Sequence, residues 1–214
     1  MKLLNFLNKK DTKTYLKKED LEKYQQFLKE WKQILLLNSS EIVTAKKESN
    51  IKFLDEKRQE WDGYHPISTS LCYGLITKEY KFLETEIKDK LKYLLIGVLD
   101  EERFNSKGNC YKIEDVKLYS ALEYNNLINK DIDELKKAIS TATNLIEEQF
   151  ETVIINNNQK KIYLGRESIN KIDIPQAKPE DLVIRVYYDK SFNSYEILII
   201  SPNKITDVFF WSSD

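Results

Sequence analysis

Apolar residues at three- and four-residue steps mark the first element of the chain. Leu21, Tyr24, Leu28, Trp31 and Leu35 form a stripe that Phe27 and Ile34 widen, which predicts an amphipathic helix over 19–37. Asn38-Ser39-Ser40 ends it and supplies capping side chains for the next element. Residues 41–61 read as a second, less regular helix, with Ile42, Val43, Ile51, Phe53, Leu54 and Trp61 as its apolar members. Asp62-Gly63-Tyr64-His65-Pro66 breaks that pattern, because proline disfavours helix at the residue before it. Thr77 then has the character of an N-cap, and Tyr80, Leu83, Ile87, Leu91, Leu94 and Val98 predict a buried helix over 77–99, thickened by Leu95 and Ile96.

Residues 110–129 settle on neither the helical nor the strand period. Asp131 and Glu134 have capping-box spacing and introduce a helical face of Ile132, Leu135, Ile139, Ala142, Ile146 and Phe150. Beyond it the period changes. Val153-Ile154-Ile155 and Ile162-Tyr163-Leu164 flank a polar turn and predict a hairpin. Residues 182–188 and 195–200 flank Asp189–Ser194 and predict a second one, and Val208-Phe209-Phe210-Trp211 reads as a final short strand. Helices first and strands last predict an α+β fold, with N-terminal helices packed on a C-terminal antiparallel sheet of four to five strands. The expected division is a mainly helical subdomain over 1–150 and an antiparallel β subdomain over 151–214, forming one unit.

Composition narrows the function classes. In 214 residues there are one histidine, five glycines and two cysteines. His65 is therefore the single side chain whose ordinary pKa suits proton shuttling near neutrality. The glycines have no phosphate-loop spacing, and Cys72 and Cys110 form no CxxC element. No cofactor is expected. The hydrophobic fraction of 41% and charged fraction of 32% are those of a chain that can build a core. The start of the sequence lacks a signal-peptide apolar core and the longest apolar run falls short of a bilayer span, so a cytoplasmic location away from membranes is expected.

Charge is uneven along the chain. Residues 1–98 carry 19 Lys/Arg against 15 Asp/Glu, and residues 99–214 carry 15 against 20. Only Arg58, Arg103, Arg166 and Arg185 supply the planar fork used in bidentate phosphate and base contacts, which argues against nucleic acid as a partner.

Three constellations are candidates for function. Asp62, His65 and Cys72 form the densest polar cluster, in which a carboxylate could orient an imidazole beside a Ser68, Ser70 or Cys72 nucleophile. The bland reading is a turn between helices. His65, Cys72, Cys110 and one carboxylate could converge on a zinc ion, although nothing in their spacing demands it, and Asp100-Glu101-Glu102 could hold a hard cation but lacks the ligand alternation of a calcium loop. Lys9, Lys10, Lys13, Lys17 and Lys18 could touch phosphates through salt-sensitive contacts. The third constellation is aromatic. Tyr187, Tyr188, Phe192 and Tyr195 surround the second hairpin, with Phe209, Phe210 and Trp211 at the end. Strands alternate faces, so some of these rings must point outward or be covered by helices, and Tyr188, Tyr195 and Trp211 are the candidate interface anchors.

The expectation is a non-catalytic protein-interaction protein. A bacterial immunity or antitoxin-type inhibitor of a toxin with a basic surface is the concrete case. The alternatives are a hydrolase or metal-dependent enzyme centred on Asp62 and His65, and a nucleic-acid-associated protein using the basic N-terminal segment.

Overall fold

The computed structural model describes residues 17–48, 51–64, 71–82, 95–96, 111–141, 144–145, 151–154, 159–163, 172–191 and 193–213. Helix α1 spans Lys18–Ile34 and α2 spans Ser39–Glu48. The Asp20 carboxylate accepts the Lys17 backbone N–H at 2.9 Å, satisfying one donor at the start of α1. Asn38 and Glu41 cap α2 reciprocally: Glu41 N–H donates to Asn38 Oδ1 at 3.0 Å, and Asn38 N–H to Glu41 Oε2 at 2.8 Å.

Strands β1 (Ile51–Tyr64) and β2 (Leu71–Phe82) pair antiparallel along nearly their whole length. A 3₁₀ turn at Ile113–Asp115 leads to β3 (Lys117–Tyr119), then to helix α3 (Ala121–Thr141). After the short β4 (Asn144–Leu145) come β5 (Glu151–Ile154), β6 (Gln159–Tyr163), β7 (Leu182–Asp189), β8 (Ser194–Ser201) and β9 (Lys204–Ser213). Among the described residues these strands form one sheet in the order β3-β7-β8-β9-β2-β1-β6-β5, with β4 also against β1. All pairings are antiparallel except β1 with β6.

Alternation of side chains across the sheet creates two cores. On one face Leu182, Ile184, Leu198, Ile205 and Tyr80 pack with Phe27, Trp31 and Ile34 of α1, Ile42 of α2, and Leu95 and Ile96. On the other, Val183, Ile197, Ile199, Val208, Phe210 and Leu75 pack with Tyr124, Ile128, Ile132 and Leu135 of α3. A register shift between Arg185 and Tyr187 lets the consecutive Val186 and Tyr187 both meet the first core.

The fold is α+β, and both C-terminal hairpins stand where the apolar runs around polar turns predict them. Several local expectations fail. Residues 51–61 are strand rather than helix, and residues 77–82 continue β2 rather than starting a helix at Thr77. Leu83, Ile87, Leu91, Leu94 and Val98 of that expected helix lie outside the described residues, while Leu95 and Ile96 are helical and fully buried. Asp131 is no cap: it lies ten residues into α3. The cap is Ser120, which donates from both Oγ and its backbone N–H to Glu123 Oε2 at 2.8 Å and accepts the Glu123 N–H on Oγ at 3.2 Å.

Candidate interaction site

Six aromatic rings form a chain from the first core toward the surface. Phe27 stacks on Trp31 at 5.7 Å, Trp31 meets Tyr111 edge-on at 5.8 Å, and Tyr111 meets Tyr187 at 6.0 Å. Tyr187 lies 6.3 Å from Phe209, and Phe209 stacks on Trp211 at 5.6 Å. The first three rings are buried, and Tyr187, Phe209 and Trp211 are half-buried.

Strand register explains the outer half of this chain. Glu196 of β8 stands opposite both Tyr187 of β7 and Phe209 of β9, so the two rings flank it. Glu196 is only 1% exposed, and its carboxylate accepts the Tyr111 hydroxyl at 2.8 Å. A buried charged group is tolerable only with such partners. Trp211 stands opposite Gly74 of β2, and a Cβ built on Gly74 would fall inside the Trp211 indole. The missing side chain is the space in which the indole lies. On the same face, Lys78 of β2 stands opposite Asp207 of β9, and both are buried.

On the opposite face the aromatic environment is polar. The Arg185 guanidinium lies 4.5 Å from the centre of the Tyr188 ring, and its Nε donates to the Asp115 carbonyl at 3.1 Å. Lys117, directly opposite Arg185 across β3 and β7, lies 4.5 Å over the Tyr119 ring. Tyr195 is 3% exposed, and its hydroxyl donates to the Asp131 carboxylate at 2.7 Å. Burial raises the pKa of both groups; for Tyr195 the Asp131 charge adds to the effect.

Of the three anchors read from the sequence, then, Tyr188 and Trp211 are half-buried on opposite faces, while Tyr195 is a core residue that fixes α3 to the sheet. Burial of Tyr195 follows from its position on the face that α3 covers. Sequence reasoning singled out neither the Tyr187–Phe209 contact nor the Lys117–Arg185 pairing. Their signal was the strand alternation of 182–188, which places Tyr187 and Tyr188 on opposite faces.

Asp62 and Cys72 are cross-strand partners near the end of the β1–β2 pair, and His65 lies outside the described residues. The segment between Tyr64 and Leu71 joins two strands, not two helices. Lys9, Lys10, Lys13, Asp100, Glu101, Glu102, Cys110 and Phe192 also lie outside the described residues. Lys17 and Lys18 are exposed at the start of α1, where Lys18 is 3.8 Å from Glu22. Among the described residues no three His, Cys, Asp or Glu side chains converge on a metal site, and no helix is long and apolar enough to cross a membrane. A cleft between the starts of α1 and α3 is lined by Lys17, Asp20, Ser120, Leu122 and Asp181. Its polar groups are engaged locally: Ser120 with Glu123, Asp20 with the Lys17 backbone, and Asp181 with the Lys178 backbone and Ser201. Comparison of the chain with protein-family models, curated proteins and solved structures finds no match.

Proposed function

We propose that this protein acts by binding another protein, in the manner of a small immunity or antitoxin-type inhibitor, with Tyr187, Phe209 and Trp211 at the centre of its contact surface. The observation that supports this reading is that three half-buried aromatic rings are held in a row by each other and by Gly74. Large aromatic anchors dominate binding energy when they fill a partner's pockets. Rings already fixed by stacking lose little side-chain freedom on binding, so more of their contact energy reaches the affinity. The acidic balance of residues 99–214 favours a partner whose surface is basic overall.

The test is a pull-down with the full chain from native cell extract, followed by titration of the captured protein. Trp211→Ala should weaken binding by about 1–4 kcal/mol, the range of a hot-spot truncation, while the chain keeps its circular dichroism spectrum. Equal binding by Trp211→Ala refutes the assignment of this surface. Turnover of a small molecule by the purified chain, abolished by Asp62→Ala, refutes the binding function and favours the enzyme reading.

A further inference from the structure

We propose that Lys117, Tyr119, Arg185 and Tyr188 form a docking site for an acidic segment of the protein partner, an inference that rests on the binding function above and specifies the chemistry of one of its contacts. The four side chains share one face of the sheet at its β3–β7 edge. Lys117 and Arg185 are register partners, and each cation lies 4.5 Å over a tyrosine ring. Lys117 is exposed, and the other three are half-buried.

Among the described residues, tyrosine rings and a backbone carbonyl, not counter-ions, hold these two cations. Lys18, Lys130 and Lys204 each have a carboxylate partner, in Glu22, Glu134 and Glu79. Among the described residues, no carboxylate lies within ion-pair distance of Lys117 or Arg185. The polar partners of Arg185 are the Asp115 carbonyl and, at 3.5 Å, the Tyr119 hydroxyl. Nη2 has no hydrogen-bond partner among the described residues. Of the nearby acids in sequence, Glu114 is exposed and Asp189 accepts the Ser191 N–H at 2.8 Å.

The guanidinium is thus oriented before a ligand arrives. It is placed by the Tyr188 ring and its Nε bond, and its remaining donors suit a carboxylate fork. A row of phosphates fits less well, because it needs a succession of cations and this edge presents the Lys117–Arg185 pair. A single acidic segment on a partner that is otherwise basic would meet these two cations and set the register of the complex.

The experiment is an NMR titration of the full chain with a ten-residue peptide alternating Glu and Ser. The comparison probes are an alternating Lys and Ser peptide, inorganic phosphate, and an oligothymidylate of ten nucleotides. The expected result is saturable shifts of the Arg185 Nε–H and the Tyr119 and Tyr188 rings with the Glu peptide alone. Lys117→Gln, at an exposed position, should weaken that binding roughly three- to fivefold, the scale of an exposed charge contact. Arg185→Lys, which keeps the charge and loses the fork, should weaken it as well, and Trp211→Ala should leave it unchanged. Absence of shifts at these residues, or equal binding by Lys117→Gln, overturns the proposal. So do stronger saturable shifts at the same residues with phosphate or oligothymidylate. If the peptide site fails while a protein partner still depends on Trp211, the binding function stands without this contact. If the peptide binds and no protein partner depends on Trp211, the docking site stands and the aromatic surface falls.

Discussion

The Tyr195 hydroxyl donates a 2.7 Å hydrogen bond to the Asp131 carboxylate across the interface between α3 and the sheet, 64 residues away in sequence. Both groups are withdrawn from water, so each is the other's main compensation for lost hydration. Tyr195→Phe removes the donor and leaves the acceptor buried. The expected loss is about 1–3 kcal/mol of unfolding free energy in urea titration at neutral pH, with a smaller loss at acidic pH, where a protonated Asp131 is easier to bury. A loss that does not vary with pH would show that the carboxylate has other support.

Asp131 also gives stability a direction with pH. Burial, with a contribution from Glu134, outweighs the Tyr195 hydrogen bond and Lys130 and lifts its pKa above the ordinary 3.8. Between 3.8 and the raised value, the folded state holds a proton that the unfolded chain has released. The contribution of this group to stability therefore grows as pH falls through that window. Measured by urea unfolding, the wild type should gain stability relative to Asp131→Asn as pH drops from about 7 to about 4. The opposite trend would mean that hydrogen bonding, not burial, controls the group.

Gly74 and Trp211 make a steric pair that one substitution can break and a second repair. Gly74→Ala places a methyl group where the indole lies, and should cost about 1–3 kcal/mol, as overpacking does. In a Trp211→Ala background the same change should cost much less. A double-mutant cycle read by thermal or urea unfolding isolates the coupling. Additive losses would place the indole elsewhere in solution.

Two side-chain amides hold the extended segment 172–178 against the body of the protein. Gln59 exchanges hydrogen bonds with the backbone of Asp173, donating at 2.8 Å and accepting at 2.7 Å. Asn125 does the same with Ala177, at 3.0 and 2.9 Å, and the Tyr124 hydroxyl donates to the Pro175 carbonyl at 2.8 Å. Gln59→Ala should accelerate hydrogen exchange at the Asp173 amide, and Asn125→Ala at the Ala177 amide, each with a smaller effect on the other site. Equal acceleration of both amides by either change would mean that the segment opens as one unit.

Legibility in the sequence followed how far each element depends on its own residues. The α1 stripe was visible, although the residues buried most deeply are Phe27, Trp31 and Ile34, while Leu21 is 37% exposed. Both C-terminal hairpins announce themselves through short apolar runs that flank turn residues. Strand β1 did not: Asp55, Glu56, Lys57, Arg58, Gln59 and Glu60 lie in a row, several of them good helix formers, and pairing with β2 on one side and β6 on the other decides the matter. In β2 the apolar Tyr80 sits at helical spacing from Leu83 and Ile87, which hid the strand period. Residues 110–129 resisted assignment because they hold a 3₁₀ turn, a strand and a helix start, so no single period runs through them. The site was legible as a set of aromatic residues, but not as an arrangement, because the Tyr187–Phe209 and Lys117–Arg185 relations arise from register between strands.

The position of β9 between β8 and β2 sets the order in which the molecule can be made. Its Ile76↔Phe209 and Leu75↔Phe210 pairings join chain segments more than 130 residues apart, and among the described residues β9 is the link between β8 and β2 in the row. Until β9 emerges during synthesis, β1–β2 and β7–β8 remain separate ribbons, each with an unsatisfied edge. Loop closure over that distance makes the joining step slow, and the waiting edges are where a nascent chain would first pair with the wrong neighbour.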